Sequence, residues 1–349
     1  MRIGMVTQQA DPEHPLLGFT VAWIEALAAR LESLALITLA AARCALPSNV
    51  HTYHMGKGSG RARMVVRYWS ALRRILPRID VLFCHMVPRY AWLAAPLAKL
   101  HRVPIVLWYT HRHVGVELRA ALAVSRAVAT ADLSSFRLHS AKVRPLGHGI
   151  DARRFAPDPS VPRDSPPLIV QVARLTAIKH QATLIRASAM LNVPHQIALI
   201  GGVPEGHAAD YAEHLRQLAC DLGVAERVHF TGALPQAEVV RWYQRAALAV
   251  NLSPHGLFDK AALESMLCGV PTVVSNAAFD RLLAEHADSL RISAPEDADG
   301  LAARLATLLR ADTAERQALG SVLRARTLAA HSLDGLADRL IALFEDISR

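Results

Sequence analysis

The residues LAVNLSPHGLFDKAALESMLCGVPTVVSN, numbered 248 to 276, predict a strand, a loop, a helix and a second strand in that order. The first strand is the short apolar run from Ala247 to Leu252. The helix is predicted over Lys260 to Cys268, and Gly269 stands where a helix C-terminus favours glycine. The second strand is Thr272 to Val274, which follows a proline that a helix could not continue through.

This order of elements predicts a βαβ crossover, because strand, helix and strand follow one another within about 30 residues. The two strands of such a unit are parallel neighbours in one sheet. The loop before the helix then lies at the carboxyl edge of that sheet, where open parallel sheets bind their ligands. Free backbone N–H groups and the positive end of the helix favour an anion at this place.

The same stretch resembles the signature region of the retaining glycosyltransferases of family 4, which use nucleotide sugars and have the GT-B fold. That signature has a Glu, seven further residues, a second Glu within Leu-Glu-Ala-Met, and then Gly and Pro-Val-Val. Residues 263–266 and 269–274 match its second half. Gly256 stands at the position of the first Glu, and Asp259-Lys260 resembles a variant of the family with Gly-x-x-Asp-Lys-x-x-Leu-Glu.

The resemblance implies an α/β protein of two Rossmann-like domains, each a doubly wound parallel sheet, facing each other across a cleft. It implies transfer of a hexosyl group from a nucleoside-diphosphate sugar to a glycan or lipid-linked acceptor of the cell envelope. Transfer would retain the anomeric configuration and need no metal or other cofactor. Two alternatives stay open: a non-catalytic sugar-nucleotide-binding module, since Gly256 replaces a Glu, and another GT-B enzyme such as an NDP-sugar epimerase.

The composition indicates a globular protein with room for two domains, since 52% of its 349 residues are hydrophobic and 20% are charged. No apolar run reaches the roughly 18 residues of a membrane span. The first residues lack the layout of a signal peptide. The four cysteines are widely scattered, which suits a reducing compartment. We therefore expect a cytoplasmic protein.

The formal net charge of +9 calls for an anionic partner or surface. Nucleic acid is not expected, because the sequence has no zinc finger, RNA-binding aromatic motif or helix-turn-helix signal. Residues 61–76 form an amphipathic helix if helical, with Tyr68 and Leu72 on one face and Arg63 and Arg67 along another edge. This helix either lies against an anionic membrane on the inner face or packs on the protein core with solvated arginines.

Strands and helices alternate through most of the chain, which predicts parallel sheets. We predict an N-terminal, acceptor-binding Rossmann-like domain over residues 1–155 and a proline-rich linker over residues 156–167. A nucleotide-sugar-binding domain of the same kind is predicted over residues 168–330. The resemblance implies that the final helix, within residues 331–349, packs back on the first domain.

Three residues of the first domain are candidates for the site. Gly18 lies on the first strand-to-helix loop, where a glycine lets the backbone approach a phosphate closely. His85 and His111 follow two predicted strands and so are expected at the carboxyl edge of the sheet. The resemblance implies that His111 is catalytic, near the sugar or the acceptor, and that His85 lies on the acceptor side.

The second domain carries the residues that the resemblance implies for the donor. Arg174 and Lys179 match the family's Gly-Arg-Leu-x-x-x-Lys pattern and would bind the diphosphate as catalytic groups. Arg offers a planar fork of donors to such an anion and Lys adds a compact charge. Glu264 would accept both ribose hydroxyls. The other donor-binding residues implied by the resemblance are Gly201, Gly202, Leu234, Gly256, Leu257, Phe258 and Asp259.

Overall fold

The fold is known from a computed structural model, which describes residues 1–14, 17–40, 42–111, 113–204, 210–255 and 258–349. The chain divides into two compact units. Unit 1 consists of Met1–Gly149 and His331–Arg349, and unit 2 consists of Ile150–Ala330. Gly256 and Leu257, both predicted donor-binding residues, lie outside the described residues.

Unit 1 is built around a parallel sheet with the strand order β3-β2-β1-β4-β5-β6-β7. This is the doubly wound arrangement, in which the strand order reverses between β1 and β4. Its elements before unit 2 are β1 (Arg2–Val6), α1 (Phe19–Ala28), β2 (Ser33–Thr38), β3 (Val50–His54), α2 (Arg61–Ile75), β4 (Val81–His85), α3 (Pro88–Leu100), β5 (Ile105–Trp108), α4 (Val116–Val124), β6 (Ala127–Thr130) and β7 (Val143–Pro145).

Unit 2 has a smaller parallel sheet with the strand order β10-β9-β8-β11-β12. Its elements are β8 (Leu168–Val172), α5 (Gln181–Ala189), β9 (Gln196–Ile200), α6 (Asp210–Asp221), β10 (Val228–Gly232), α7 (Gln236–Arg245), β11 (Leu248–Asn251), α8 (Lys260–Leu267), β12 (Thr272–Val274), α9 (Asp280–Leu283), α10 (Ala287–Leu290), α11 (Ala298–Arg310) and α12 (Thr313–His331). The chain then returns to unit 1 as α13 (Leu333–Ser348).

The predicted βαβ unit is confirmed as β11, α8 and β12, and the two strands are parallel neighbours. Asp259 caps the helix, because its carboxylate accepts the Ala261 N–H at 3.3 Å. Gly269 has a φ of 71°, the left-handed conformation with which glycine commonly follows a helix. Local signals therefore fix both ends of α8.

The apolar strands follow from burial on both faces of each sheet. In unit 1, helices α1 and α13 cover one face, and α2, α3 and α4 cover the other. Phe344 of α13 packs against Phe83 of β4 with ring centroids 5.3 Å apart. Arg30 after α1 also forms an ion pair with Asp338 of α13 at 2.6 Å. The final helix is therefore an integral part of unit 1.

The start of unit 2 differs from the predicted boundaries. Ile150 and Phe155, predicted to end the first domain, are 3% and 2% exposed in the hydrophobic core of unit 2. Residues 156–167, predicted to be a linker, also belong to this unit. Within them, Asp164 accepts two hydrogen bonds from the Arg245 guanidinium at 2.9 and 2.8 Å. Proline-rich composition here marks an irregular segment that is packed on a domain.

Helix α2 packs on the core of unit 1 through its apolar face. Tyr68 and Leu72 are 1% and 0% exposed, and the Tyr68 hydroxyl donates to the Tyr90 carbonyl at 2.8 Å. The interpretation that this face lies against a membrane is therefore wrong, because the face is already covered by protein. The basic edge remains exposed. No helix in the described parts of the chain is long and apolar enough to cross a membrane.

Candidate active site

The carboxyl edge of the sheet in unit 2 holds a cluster of Lys179, Ser253 and Asp259. The Lys179 ammonium donates to Ser253 Oγ at 3.0 Å and to the Asp259 carboxylate. Ser253 Oγ donates to the same carboxylate at 2.7 Å. The Lys179 and Asp259 side chains are 17% and 18% exposed, so the cluster is largely shielded but reachable from solvent.

The pKa of Asp259 reflects these contacts. Burial would raise the pKa of this carboxyl, because a charged group is poorly solvated there. The Lys179 charge, with hydrogen bonds from Lys179, Ser253 and the Ala261 N–H, nevertheless holds the pKa below its ordinary value. Asp259 is therefore an anion at neutral pH and forms a true ion pair with Lys179.

Backbone contacts fix the three members of this cluster. Gln171 in β8 donates to the Lys179 carbonyl at 2.7 Å. Ser275 after β12 donates to the Ser253 carbonyl at 3.1 Å. The cap on α8 holds Asp259, so each side chain starts from a rigid backbone position. Ser253 and Gln171 were not among the predicted site residues, although Ser253 directly follows the apolar run of β11.

Arg174 is exposed on the loop that follows β8. Its backbone carbonyl accepts a hydrogen bond from the Gln181 side chain at 2.9 Å. Among the described residues, no side chain or backbone group forms a hydrogen bond or ion pair with its guanidinium. A full set of donors is thus available to an anionic ligand at the carboxyl edge of the sheet.

The two glycines after β9 hold the loop that carries this arginine. Gly201 has a φ of 149°, and its N–H donates to the Gly232 carbonyl at 2.9 Å. A Cβ at Gly201 would lie 2.0 Å from the Ala173 carbonyl oxygen. The Gly202 carbonyl accepts the Leu175 N–H at 3.0 Å. This close backbone approach is the physical reason for glycine at position 201.

Glu264 is partly buried on α8, one turn beyond its first residue. Within the described chain its carboxylate accepts no hydrogen bond. Burial raises the pKa of Glu264, nearby Asp259 adds to the rise, and Lys260 opposes it. A carboxylate that has lost water without gaining a donor is a good acceptor for ligand hydroxyls.

The other predicted donor residues of unit 2 are less open. Phe258 is 7% exposed, and its ring packs on Phe279 with centroids 4.5 Å apart. Its side chain therefore belongs to the core, and only its backbone is suited to a ligand contact. Leu234 is partly buried on the loop after β10.

Gly18 precedes α1 in unit 1, where its φ of −56° is open to any residue. A Cβ at this position would lie 2.5 Å from the Pro12 carbonyl oxygen and 3.0 Å from that of His14. The glycine is thus required by the packing of its own loop. The predicted role in phosphate binding is not needed to explain it.

The two predicted histidines of unit 1 lie in different environments. His85 is 1% exposed, its Nδ1 lies 3.2 Å from Thr7 Oγ1, and its ring contacts Trp23 at 5.0 Å between centroids. In this structure its side chain is covered by protein, and its place on the acceptor side stays a prediction. His111 is exposed after β5, and its ring contacts Tyr109 edge-on with ring centroids 5.5 Å apart.

The residues that the structure describes contain no cluster of three or more His, Cys, Asp or Glu side chains placed to hold a metal ion.

Comparison with solved structures identifies the class of fold. HepE of Anabaena in complex with UDP superposes with a TM-score of 0.77 over 99% of this chain and 100% of that chain, at 17% identity. The sucrose-phosphate synthase of Thermosynechococcus elongatus gives a TM-score of 0.75 over 99% and 98% of the two chains, also at 17% identity. Together with the two parallel-sheet units, these likenesses show a GT-B fold.

Residues 153–324, all within unit 2, match the family described as Glycosyl transferases group 1. A similar sequence is the D-inositol 3-phosphate glycosyltransferase of Thermomonospora curvata, 32% identical over 61% of this chain and 49% of the relative. Another is the GDP-mannose-dependent alpha-(1-6)-phosphatidylinositol monomannoside mannosyltransferase of Mycolicibacterium smegmatis, 33% identical over 48% and 46% of the two chains. The chain thus spans about half the length of these relatives.

Proposed function

We propose that the protein is a retaining glycosyltransferase of family 4, which moves a hexosyl group from a nucleoside-diphosphate sugar to an acceptor without a metal. The observation that carries the proposal is the exposed Arg174 guanidinium, which has no partner among the described residues and lies on the same segment as the Lys179 cluster, at the carboxyl edge of unit 2. The match of this unit to the Glycosyl transferases group 1 family supports it.

The proposed chemistry follows from where charge develops. When the bond between the sugar and the diphosphate breaks, negative charge grows on the leaving diphosphate. Fixed donors at that place lower the barrier, because they need not reorganise during the reaction. Arg174 and Lys179 supply such donors from the protein itself. Glu264 anchors the nucleotide by accepting hydrogen bonds from its ribose, and we assign exposed His111 to the sugar or acceptor side on the family resemblance.

The names of the relatives and structural neighbours narrow the choice of donor and acceptor to be tested. HepE binds UDP and UDP-glucose, and the mannosyltransferase is named as dependent on GDP-mannose. Relatives named for inositol phosphate and a phosphatidylinositol mannoside support a glycan or lipid-linked acceptor of the cell envelope. UDP and GDP are therefore the first nucleotides to test.

A ligand panel followed by a turnover assay tests the proposed function. UDP, GDP and ADP are compared by thermal shift, where a ligand at about 100 times its Kd adds about 2.7 kcal/mol to the free energy of unfolding. The corresponding nucleotide sugars are then assayed for released diphosphate, with Mg²⁺ and with EDTA. Binding without hydrolysis or transfer would instead favour the non-catalytic module, and epimerised donor would favour the epimerase.

Glu264→Ala is expected to weaken nucleotide binding by about 1.5–3 kcal/mol, the usual effect of losing a hydrogen bond to a charged group. Isothermal titration calorimetry with a nucleotide sugar measures this directly. Glu238→Ala is a matched control, because Glu238 is an exposed residue in the first turn of α7. Unchanged affinity in the Glu264 variant would show that the ribose is held elsewhere.

The proposed contact between Glu264 and the ribose hydroxyls predicts that the binding of a nucleotide sugar depends on pH. The ionised Glu264 carboxylate accepts both hydroxyls, and burial raises its pKa in the ligand-free protein. As the pH falls through this raised pKa, Glu264 takes up a proton that binding must remove. The Kd of a nucleotide sugar should therefore rise as the pH falls, and Glu264→Gln should flatten the profile.

We also propose a cytoplasmic location with peripheral association on the inner face of the membrane. Because the apolar face of α2 is buried, this association would depend only on the basic residues of the helix. Arg63, Arg67 and Arg74 are exposed on α2, and each basic residue near an anionic surface contributes about 1 kcal/mol. Sedimentation with anionic vesicles is expected at low salt and should be lost at high salt. Replacing the three arginines by glutamine should abolish it, whereas equal binding to neutral vesicles would contradict the idea.

A further inference from the structure

The ion pair between Lys179 and Asp259 uses only part of the capacity of the lysine to donate hydrogen bonds. A lysine ammonium has three donors, and the Asp259 carboxylate and Ser253 Oγ occupy two of them. Nothing in the described parts of the chain accepts the third donor, and the side chain is 17% exposed. Lys179 can thus bind one oxygen of a ligand without leaving its two protein partners.

Asp259 is committed to contacts within the protein. Its carboxylate accepts hydrogen bonds from the Lys179 ammonium, from Ser253 Oγ at 2.7 Å and from the Ala261 N–H at 3.3 Å. Its position at the start of α8 is held further by Tyr243, whose hydroxyl donates to the Ala261 carbonyl at 3.0 Å. The carboxylate therefore acts on a ligand through Lys179 and through its own negative charge.

We propose that Asp259 is a positioning residue that fixes the Lys179 ammonium and offsets its charge, so that the nucleoside-diphosphate product can leave. This inference rests on the proposed function, because it takes the diphosphate to be the ligand of Lys179. Arg174 has no such counter-charge among the described residues. Arg174 is therefore available to an anion within the described chain, whereas the charge of Lys179 is compensated.

Two opposing effects decide what happens when the charge of Asp259 is removed. Lys179 becomes less well oriented, which weakens its contact with a phosphate. The repulsion between a carboxylate and the nearby diphosphate also disappears, which strengthens binding. Charge interactions over a few Å in a partly shielded site exceed the entropy of ordering one lysine. Tighter product binding is therefore the expected net result.

Asp259→Asn tests the proposal, because asparagine has the same shape and caps a helix about as well as aspartate. In calorimetry with UDP and GDP, the Kd of whichever binds the wild type more tightly should fall about tenfold, or about 1.4 kcal/mol. The steady-state kcat should fall while a single turnover is less affected, because release becomes slow. Asp259→Ser also keeps the helix cap and removes the charge, so it should tighten product binding as Asp259→Asn does. Asp259→Glu keeps the charge, so its Kd should be close to that of the wild type.

Asp164→Asn is the matched control. Asp164 has an ion pair with Arg245 in the same unit and is 16% exposed, close to the 18% of Asp259. It precedes β8 and so lies at the opposite edge of the sheet. This variant should leave the Kd of the diphosphate unchanged.

The outcomes separate this inference from the proposed function. A Kd in Asp259→Asn that is unchanged or higher would overturn the role of Asp259 in product release, without contradicting the proposed function. A purely structural role would lower the stability of the Asp259 and Asp164 variants without tightening nucleotide binding. A wild type that binds neither UDP nor GDP would overturn the proposed function itself.

Discussion

Replacing Arg174 with alanine is expected to lower both kcat and kcat/KM by about 10²–10³-fold, or roughly 2.7–4 kcal/mol, by analogy with the removal of one oxyanion donor. The guanidinium is exposed and has no partner within the described chain, so no other described group takes over its hydrogen bonds. Its effect belongs mainly to the transition state, where the charge on the leaving diphosphate is largest. Steady-state kinetics with the active nucleotide sugar measure both constants.

Two further variants make this prediction specific. Arg174→Lys should recover only part of the loss, because a point charge cannot reproduce a planar fork of donors. Arg241→Ala removes an exposed arginine from α7 in the same unit and should leave the kinetics unchanged. A rise in KM alone in Arg174→Ala would show that the arginine binds substrate and transition state equally. A wild type that requires a divalent metal would place the charge stabilisation elsewhere.

The part of the fold that could be predicted is the part whose signals are local. The β11-α8-β12 unit is marked by two apolar runs, a capping Asp259 and a helix-ending Gly269, all within one short stretch. Edge strands gave less signal: β3 alternates only loosely, and β7 contains a proline. Whether such a segment becomes a strand depends on its neighbours in the sheet, which lie far away in the sequence.

Long-range contacts explain what could not be predicted. The ion pair of Lys179 with Asp259 joins residues on two different crossovers, so no spacing in the sequence announces it. The burial of His85 depends on Trp23 of α1 lying over the end of β4. The first residues of unit 2 were misplaced because Ile150 and Phe155 are isolated apolar residues in an irregular segment. Their burial depends on a core assembled later in the chain.

Gly201 shows how a backbone requirement links stability to the candidate site. Alanine at this position would keep a φ of 149°, which residues with a Cβ rarely adopt, at a cost of about 1–3 kcal/mol. Its Cβ would also lie 2.0 Å from the Ala173 carbonyl oxygen, so the backbone must move, at a further cost of about 1–3 kcal/mol. Gly201→Ala should therefore lower the free energy of unfolding by the sum of the two costs, about 2–6 kcal/mol.

Gly232→Ala is the matched comparison for this prediction, because Gly232 has a φ of 71° and open space where a Cβ would lie. It should cost only the conformational strain of about 1–2 kcal/mol. Urea unfolding followed by circular dichroism gives both values, and equal losses would show that the contact with Ala173 does not matter.

The movement forced by Gly201→Ala also displaces the neighbouring Arg174. Gly201→Ala should therefore lower kcat in the wild-type background. In the Arg174→Ala background the same substitution should lower kcat by a much smaller factor.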